Sequence, residues 1–312
     1  MNRELPVWRS LMYCPANVEK YVDKAHTRGA DVIQLDLEDS VPVSEKAAAR
    51  KLVEKAAARV RRGGADVVVR FNQPLSMAVR DLEASICPDV DALACTKVSG
   101  VSHVQLLDEL VSELEEKRGM TVGHTKFITM IETADAFFKI RDILRASNRI
   151  VATNIGGEDF ALDCNFQPTG EALFYPKQHM IIAANAAGVI PLGFVDSIAG
   201  FGDWDAFRKM VRRSRDFGFM GAGCIHPGQV TIVNEEYTPA KAEVEYAYTL
   251  IKLDQEAAAS GRGSFTLDGK MVDIPIIVRA RKLIARHEKI KARERSEEHT
   301  SELQSRGLIS YA

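Results

Sequence analysis

Residues 32–41, VIQLDLEDSV, open as an apolar strand and close on acid. A parallel strand covered on both faces reads as a nearly unbroken apolar run, and Val32, Ile33, Leu35 and Leu37 supply one. Asp36, Glu38 and Asp39 come where that run stops. The carboxyl ends of parallel strands are where ligands bind in barrels and open α/β sheets. Acids at that place hold a metal, work as bases or cap a turn, and this stretch alone leaves the three readings open.

Working outward, seven further short apolar runs alternate with helical patterns: VWRSLMYC, DVVVRFN, DALACTKV, KFITMIET, RIVATNIGG, VIPLGFVDS and FMGAGCIHP. Several of the intervening helical stretches end in glycine at the expected stop. Eight strands alternating with helices, with neither a G-x-G-x-x-G turn nor a P-loop, predict a TIM (β/α)8 barrel over residues 1–236. The rhythm then changes. Residues 237–292 read as a C-terminal extension of helix, hairpin and helix, with Asp268 and Gly269 as the turn pair between two alternating runs. The extension is expected to pack outside a barrel mouth, that of a neighbouring subunit included. The polar tail at 293–312 has no sustained apolar period and reads as disordered or non-native.

Composition narrows the class. The 312 residues are 46% hydrophobic and 27% charged with a formal net charge of -2, which fits a soluble globular protein and argues against a nucleic-acid surface. Cys14, Cys87, Cys95, Cys164 and Cys224 form no C-x-x-C pair and read as reduced core thiols without a zinc framework. No apolar run approaches the roughly 18 residues of a membrane span, and the N-terminus has neither signal nor transit character, so the chain reads as cytoplasmic and not membrane-bound.

If the barrel is right, the site comes from the ends of several strands. These carry Glu38 and Asp39, Arg70 and Asn72, Lys97, Glu132, Glu158 and Asp159, Asp196, and His226. A ring this rich in carboxylates suits a hard cation held by oxygen, Mg²⁺ or Mn²⁺ before zinc. Glu132 and Asp159 come from adjacent strands, and Gly156 and Gly157 remove side-chain bulk just before the second acid. Each acid also has a plainer reading: Asp39 as a helix cap, Asp196 as loop structure. His226 likewise reads as fixing the turn that Pro227 and Gly228 start. Arg70 lies inside its strand, so burying its guanidinium requires an anionic partner such as a ligand carboxylate.

The ordered motifs RSLMYCPAN, LDLEDSV, RFNQP, IET, GGEDF and IHPGQ resemble the citrate lyase beta-subunit-like enzymes of the HpcH/HpaI aldolase superfamily, to about residue 291. GKMVDIP further resembles the tail of the stand-alone malyl-CoA and citramalyl-CoA lyases. The resemblance implies a TIM barrel with a C-terminal helical extension, commonly a homotrimer in which the extension closes the neighbouring site. It implies Glu132 and Asp159 as Mg²⁺ ligands and Arg70 on the keto-acid or enolate oxygen. Glu38 and Asp39 would hold metal-bound waters and Arg70 in place, and Asp273 would be the acid/base residue of the extension. Thr96 stands before Lys97 where the family often has proline, which leaves that substrate-side lysine's role open. The implied reaction cleaves a carboxylated 3-hydroxyacyl-CoA to acetyl-CoA and an α-keto acid. Arg9, Lys46 and Arg50 read as CoA phosphate contacts, against a solvated helix face for the two on the helix. Other readings are a citrate lyase beta subunit taking a carrier-protein thioester, a CoA-free class II aldolase, and a barrel kept only for binding.

Overall fold

The computed structural model describes residues 4–196, 202–261 and 263–309, with side chains as far as residue 295. Eight parallel strands lie where the apolar runs place them: β1 (Ser10–Pro15), β2 (Val32–Asp36), β3 (Asp66–Phe71), β4 (Ala92–Cys95), β5 (Lys126–Ile131), β6 (Ile150–Ile155), β7 (Ile190–Pro191) and β8 (Ala222–Cys224). The sheet runs β7-β6-β5-β4-β3-β2-β1-β8. Its two edges meet, since Met220 N–H donates to Pro191 O and Gly193 N–H to Gly221 O, both at 2.9 Å. The result is a TIM-like barrel.

The period-2 alternation of strand side chains divides the core in two. Val32, Val68, Ala92, Ala94, Ile128, Met130 and Ala152 point inward and fill the barrel. Ile33, Leu35, Val67, Val69, Leu93 and Phe127 point outward under the helices. Ala94 and Ala152, the small register partners on either side of Ile128, let the interior fill without a pore, as such barrels require. The helical stretch after β2 is broken at Lys51 and Leu52 into Lys46–Arg50 and Val53–Val60. Among the described residues no helix is long and apolar enough to cross a membrane.

The chain divides after Tyr237 into two compact units. In the second, the helix Lys241–Ala259, the hairpin of β9 (Phe265–Leu267) and β10 (Lys270–Val272), and the helix Ile274–Ile309 share a core of Ala247, Leu250, Val272, Ile277 and Ala280. The hairpin turns at Asp268 (φ 50°) and Gly269 (φ 73°), the two left-handed positions of a two-residue turn. The last helix continues past Lys291, where the sequence pattern places its end.

Candidate active site

Every strand-end acid except Asp196 that approaches a cation here converges on Arg70 or Lys97. Arg70, near the end of β3, lies beside β2 in parallel register with Asp36. Its Nε donates to Asp36 Oδ1 at 2.8 Å and its Nη2 to Asp36 Oδ2 at 2.7 Å, a two-point fork. Its Nη1 meets Glu38 at 2.7 Å and Asp39 at 3.3 Å, and the guanidinium carbon lies 5.2 Å from the Tyr13 ring centre. Burial alone lowers the Arg70 pKa, but the Asp36 hydrogen bonds and charge more than reverse this and fix the group as a cation. The same contact depresses the Asp36 carboxyl against the opposing effect of its burial.

Lys97 forms the second cationic centre. It sits just past β4 at φ 47°, a left-handed conformation rare for a residue with a side chain and concentrated at functional sites. The bend aims its backbone N–H at Glu132 Oε2, 2.6 Å away, and its Nζ between Glu38 (3.2 Å) and Asp159 (3.3 Å). Glu132 follows β5 and is 3% exposed. Burial pushes its carboxyl up to about 7; the Glu38 and Asp159 charges add to this, while Lys97 opposes it. Glu38 is also raised, by burial first and with Asp39 adding to it, despite the Arg70 and Lys97 charges.

Five carboxylates thus face two cations. Glu132 and Asp159 are hard oxygen donors, and the Asn154 side-chain oxygen on β6 is buried without a hydrogen-bond partner among the described residues. This donor set and the excess negative charge fit a divalent cation completed by water and ligand oxygens. Among the described residues no group of three or more His, Cys, Asp and Glu is assembled for a metal, which does not fit a closed zinc site. Asp36, Asp39, Glu132 and Asp159 open onto a cavity of about 1020 Å³.

Gly156 is required by Glu132. A Cβ there would fall against Glu132 Oε1 and 2.6 Å from its Cγ. Gly156→Ala is expected to displace the carboxylate, costing about 1–3 kcal/mol of stability and at least about tenfold in turnover. A melting curve and a turnover assay check this, and wild-type turnover would contradict the packing. His226 takes its plainer role, since its Nδ1 accepts from Gly228 N–H at 3.0 Å while the ring borders the cavity.

Three expected phosphate contacts are engaged elsewhere in the fold. Arg9 precedes β1, at the opposite end of the barrel, and is 4% exposed; its Nε and Nη2 grip Asp31 at 2.9 and 2.8 Å. Lys46 is turned inward, donating to Leu37 O at 2.9 Å and Glu38 O at 2.6 Å, so it braces the acidic loop. Arg50 pairs with fully buried Asp81, which also accepts from Asn72. Lys24 and Arg28 border the cavity instead, and sequence reading passed over them. Asp36, one of the acids that close the second strand, falls outside the strand-end roll of Glu38 and Asp39, although alternation puts it on the same strand face as Glu38. Asp273 belongs to the second unit, exposed between β10 and the last helix, where its carbonyl accepts from the Ile276 and Ile277 N–H groups.

Comparison with known proteins gives consistent matches. The family model described as HpcH/HpaI aldolase/citrate lyase matches residues 9–227. A citrate lyase subunit beta of Leuconostoc mesenteroides subsp. cremoris is 31% identical, over 88% of this chain and 92% of that protein. An L-malyl-CoA/beta-methylmalyl-CoA lyase of Cereibacter sphaeroides (strain ATCC 17025 / ATH 2.4.3) is 30% identical, over 91% and 96%. The crystal structure of the protein CitE from Mycobacterium tuberculosis in complex with magnesium, acetoacetate and coenzyme A superposes with a TM-score of 0.70 at 24% identity, over 89% and 97%.

Proposed function

Because the chain belongs to the HpcH/HpaI aldolase/citrate lyase family, whose members here are carbon–carbon lyases, we propose that it cleaves a carboxylated 3-hydroxyacyl-CoA, of citramalyl-CoA or malyl-CoA type, to acetyl-CoA and an α-keto acid. The observation that carries this reading is the convergence of Glu132 and Asp159 with Arg70 at one mouth, negative in excess and open to the cavity. Glu132 and Asp159 would hold Mg²⁺, with Mn²⁺ as a substitute. Bound there, the ion supplies Lewis-acid stabilisation to the substrate oxygen whose charge changes as the carbon–carbon bond breaks.

The protein's own groups do the rest. Arg70, held by Asp36, Glu38 and Asp39, presents a fixed positive charge to the same oxygen without having to reorganise. Lys97 orders Glu132 through its backbone N–H and holds Glu38 and Asp159 with its ammonium. Asp273 is assigned the proton transfer at the acetyl carbon, on the resemblance in GKMVDIP, in a homotrimer or higher homo-oligomer. Lys24 and Arg28 are the proposed phosphate contacts. Removing both is expected to raise KM for the CoA ester about tenfold with kcat little changed. An equal fall in kcat would contradict a role confined to binding.

The test is chromatographic detection of acetyl-CoA after incubation with citramalyl-CoA or malyl-CoA and Mg²⁺, with a chelated control. Chelator-sensitive release with the matching keto acid supports the reading, and no release from either ester contradicts it. A carrier-protein thioester in place of CoA is the second reading, favoured by the likeness to a citrate lyase beta subunit.

A further inference from the structure

The backbone ladder between β2 and β3 runs out at the acidic loop, where Leu37 N–H donates to Arg70 O at 2.9 Å. Beyond it, side chains join the two strand ends. Asn72, 4% exposed, donates from Nδ2 to Leu37 O at 2.9 Å, and Lys46 Nζ donates to the same oxygen at 2.9 Å. A carbonyl oxygen has two lone pairs, so this one is saturated and its peptide plane is gripped from two directions. Lys46 also reaches the next carbonyl, that of Glu38, at 2.6 Å.

Asn72 is itself locked. Asp81, fully buried on the helix Leu75–Ser85, accepts from Asn72 N–H at 2.9 Å and from Asn72 Nδ2 at 2.6 Å, while its other oxygen takes Arg50. Burying a carboxylate and an ammonium is costly, and well-packed apolar side chains hold a fold without that cost. What the buried charges add is direction, and the direction leads to Arg70. The peptide between Leu37 and Glu38 carries the Glu38 N–H, which donates to Asp36 Oδ1 at 2.9 Å, the oxygen that also receives Arg70 Nε. The Glu38 carboxylate meets Arg70 Nη1 at 2.7 Å. One peptide plane thus bears on both acids that grip the guanidinium.

We propose that Asn72, anchored by Asp81, and Lys46 are positioning residues that hold the peptide between Leu37 and Glu38 and, through it, the orientation of Arg70 at the mouth. Neither touches the reacting atoms. The inference rests on the lyase reading, in which Arg70 faces the reacting oxygen, and misplacing such a group by about 1 Å costs on the order of 100-fold in rate.

The test compares Asn72→Ala and Lys46→Met, each of which removes a donor to Leu37 O, with Arg50→Gln, which removes only the outer partner of Asp81. Ester turnover is measured beside amide hydrogen exchange over residues 36–41, where the Glu38, Ser40 and Val41 N–H groups are bonded within the stretch. Both loop variants are expected to lose about tenfold or more in kcat with KM within about twofold, and to exchange those amides about tenfold faster. Lys46→Arg restores part of both. Arg50→Gln is expected to melt earlier yet keep wild-type kcat and exchange. Turnover that falls with melting temperature alike in all three variants, or loop amides that exchange at the wild-type rate, overturns the proposal. If Asn72→Ala does not fold, Lys46→Met decides alone. Faster loop exchange in a protein that cleaves neither ester upholds the hold on Glu38 and overturns the lyase reading alone.

Discussion

Glu132→Gln is expected to lower turnover by about 10³-fold or more and at the same time to make the metal-free protein more stable at alkaline pH. The first effect follows from the proposed metal role, since the variant loses an oxygen donor that would hold several kcal/mol of transition-state stabilisation in place. The second follows from the raised carboxyl. The folded protein keeps the Glu132 proton up to about pH 7, whereas the unfolded chain releases it in the ordinary glutamate range. Stability from this group is thus complete below the unfolded pKa and is lost as pH rises through 7, by up to about 3 kcal/mol. Glutamine carries no such loss. Thermal melts in chelator should show the variant and wild type close together near pH 4.5. The variant should be several degrees ahead at pH 8, at about 2–4 °C per kcal/mol. Equal melting at pH 8, or divalent-dependent turnover that survives, would contradict the assignment.

Arg70→Ala is expected to be the most damaging single change. Asp36 is 1% exposed, and both its oxygens accept from Arg70. Taking away the guanidinium leaves an uncompensated buried charge, at about 3–5 kcal/mol, and, on the proposed function, removes the positive charge from the reacting oxygen. Two companions separate stability from chemistry. Arg70→Lys keeps the charge and loses the fork, so turnover should fall about 10²-fold or more with a smaller loss of stability. Pairing Arg70→Met with Asp36→Asn removes the orphaned charge and should restore most of the melting temperature while leaving the enzyme inactive. Activity in that double variant would show that Arg70 serves the fold alone.

The barrel was legible because parallel strands buried on both faces must be apolar, and runs such as Ile150–Ile155 and Val67–Val69 have few other uses. The shortest strand, Ile190–Pro191, was legible only by its place in the alternation, since Leu192 and Gly193 complete the closure through backbone bonds that side chains do not announce. Glu132, Asp159 and Arg70 were legible from strand direction, because a residue that ends a parallel strand lies at the mouth. The same rule places Arg9, just before the start of one, at the far end.

The inward contacts of Lys46 and Arg50 were illegible for a different reason. A lysine and an arginine four apart on a short helix look like a solvated basic face, and only the packing of that helix against the β2 loop and Asp81 turns them inward. The burial of Lys177 on the helix Gly170–Ala187 likewise depends on how that helix settles on β6 and β7. Sequence spacing tells which residues share a face but not which face a short helix presents.

The central claim is that Glu132 and Asp159 together hold one divalent cation at the barrel mouth. A calorimetric titration of the purified chain with Mn²⁺, competed by Mg²⁺, tests it most directly. The account predicts one ion per chain in the wild type and none at matched concentration in Glu132→Gln or in Asp159→Asn, both folded. Unchanged binding in either variant would contradict it.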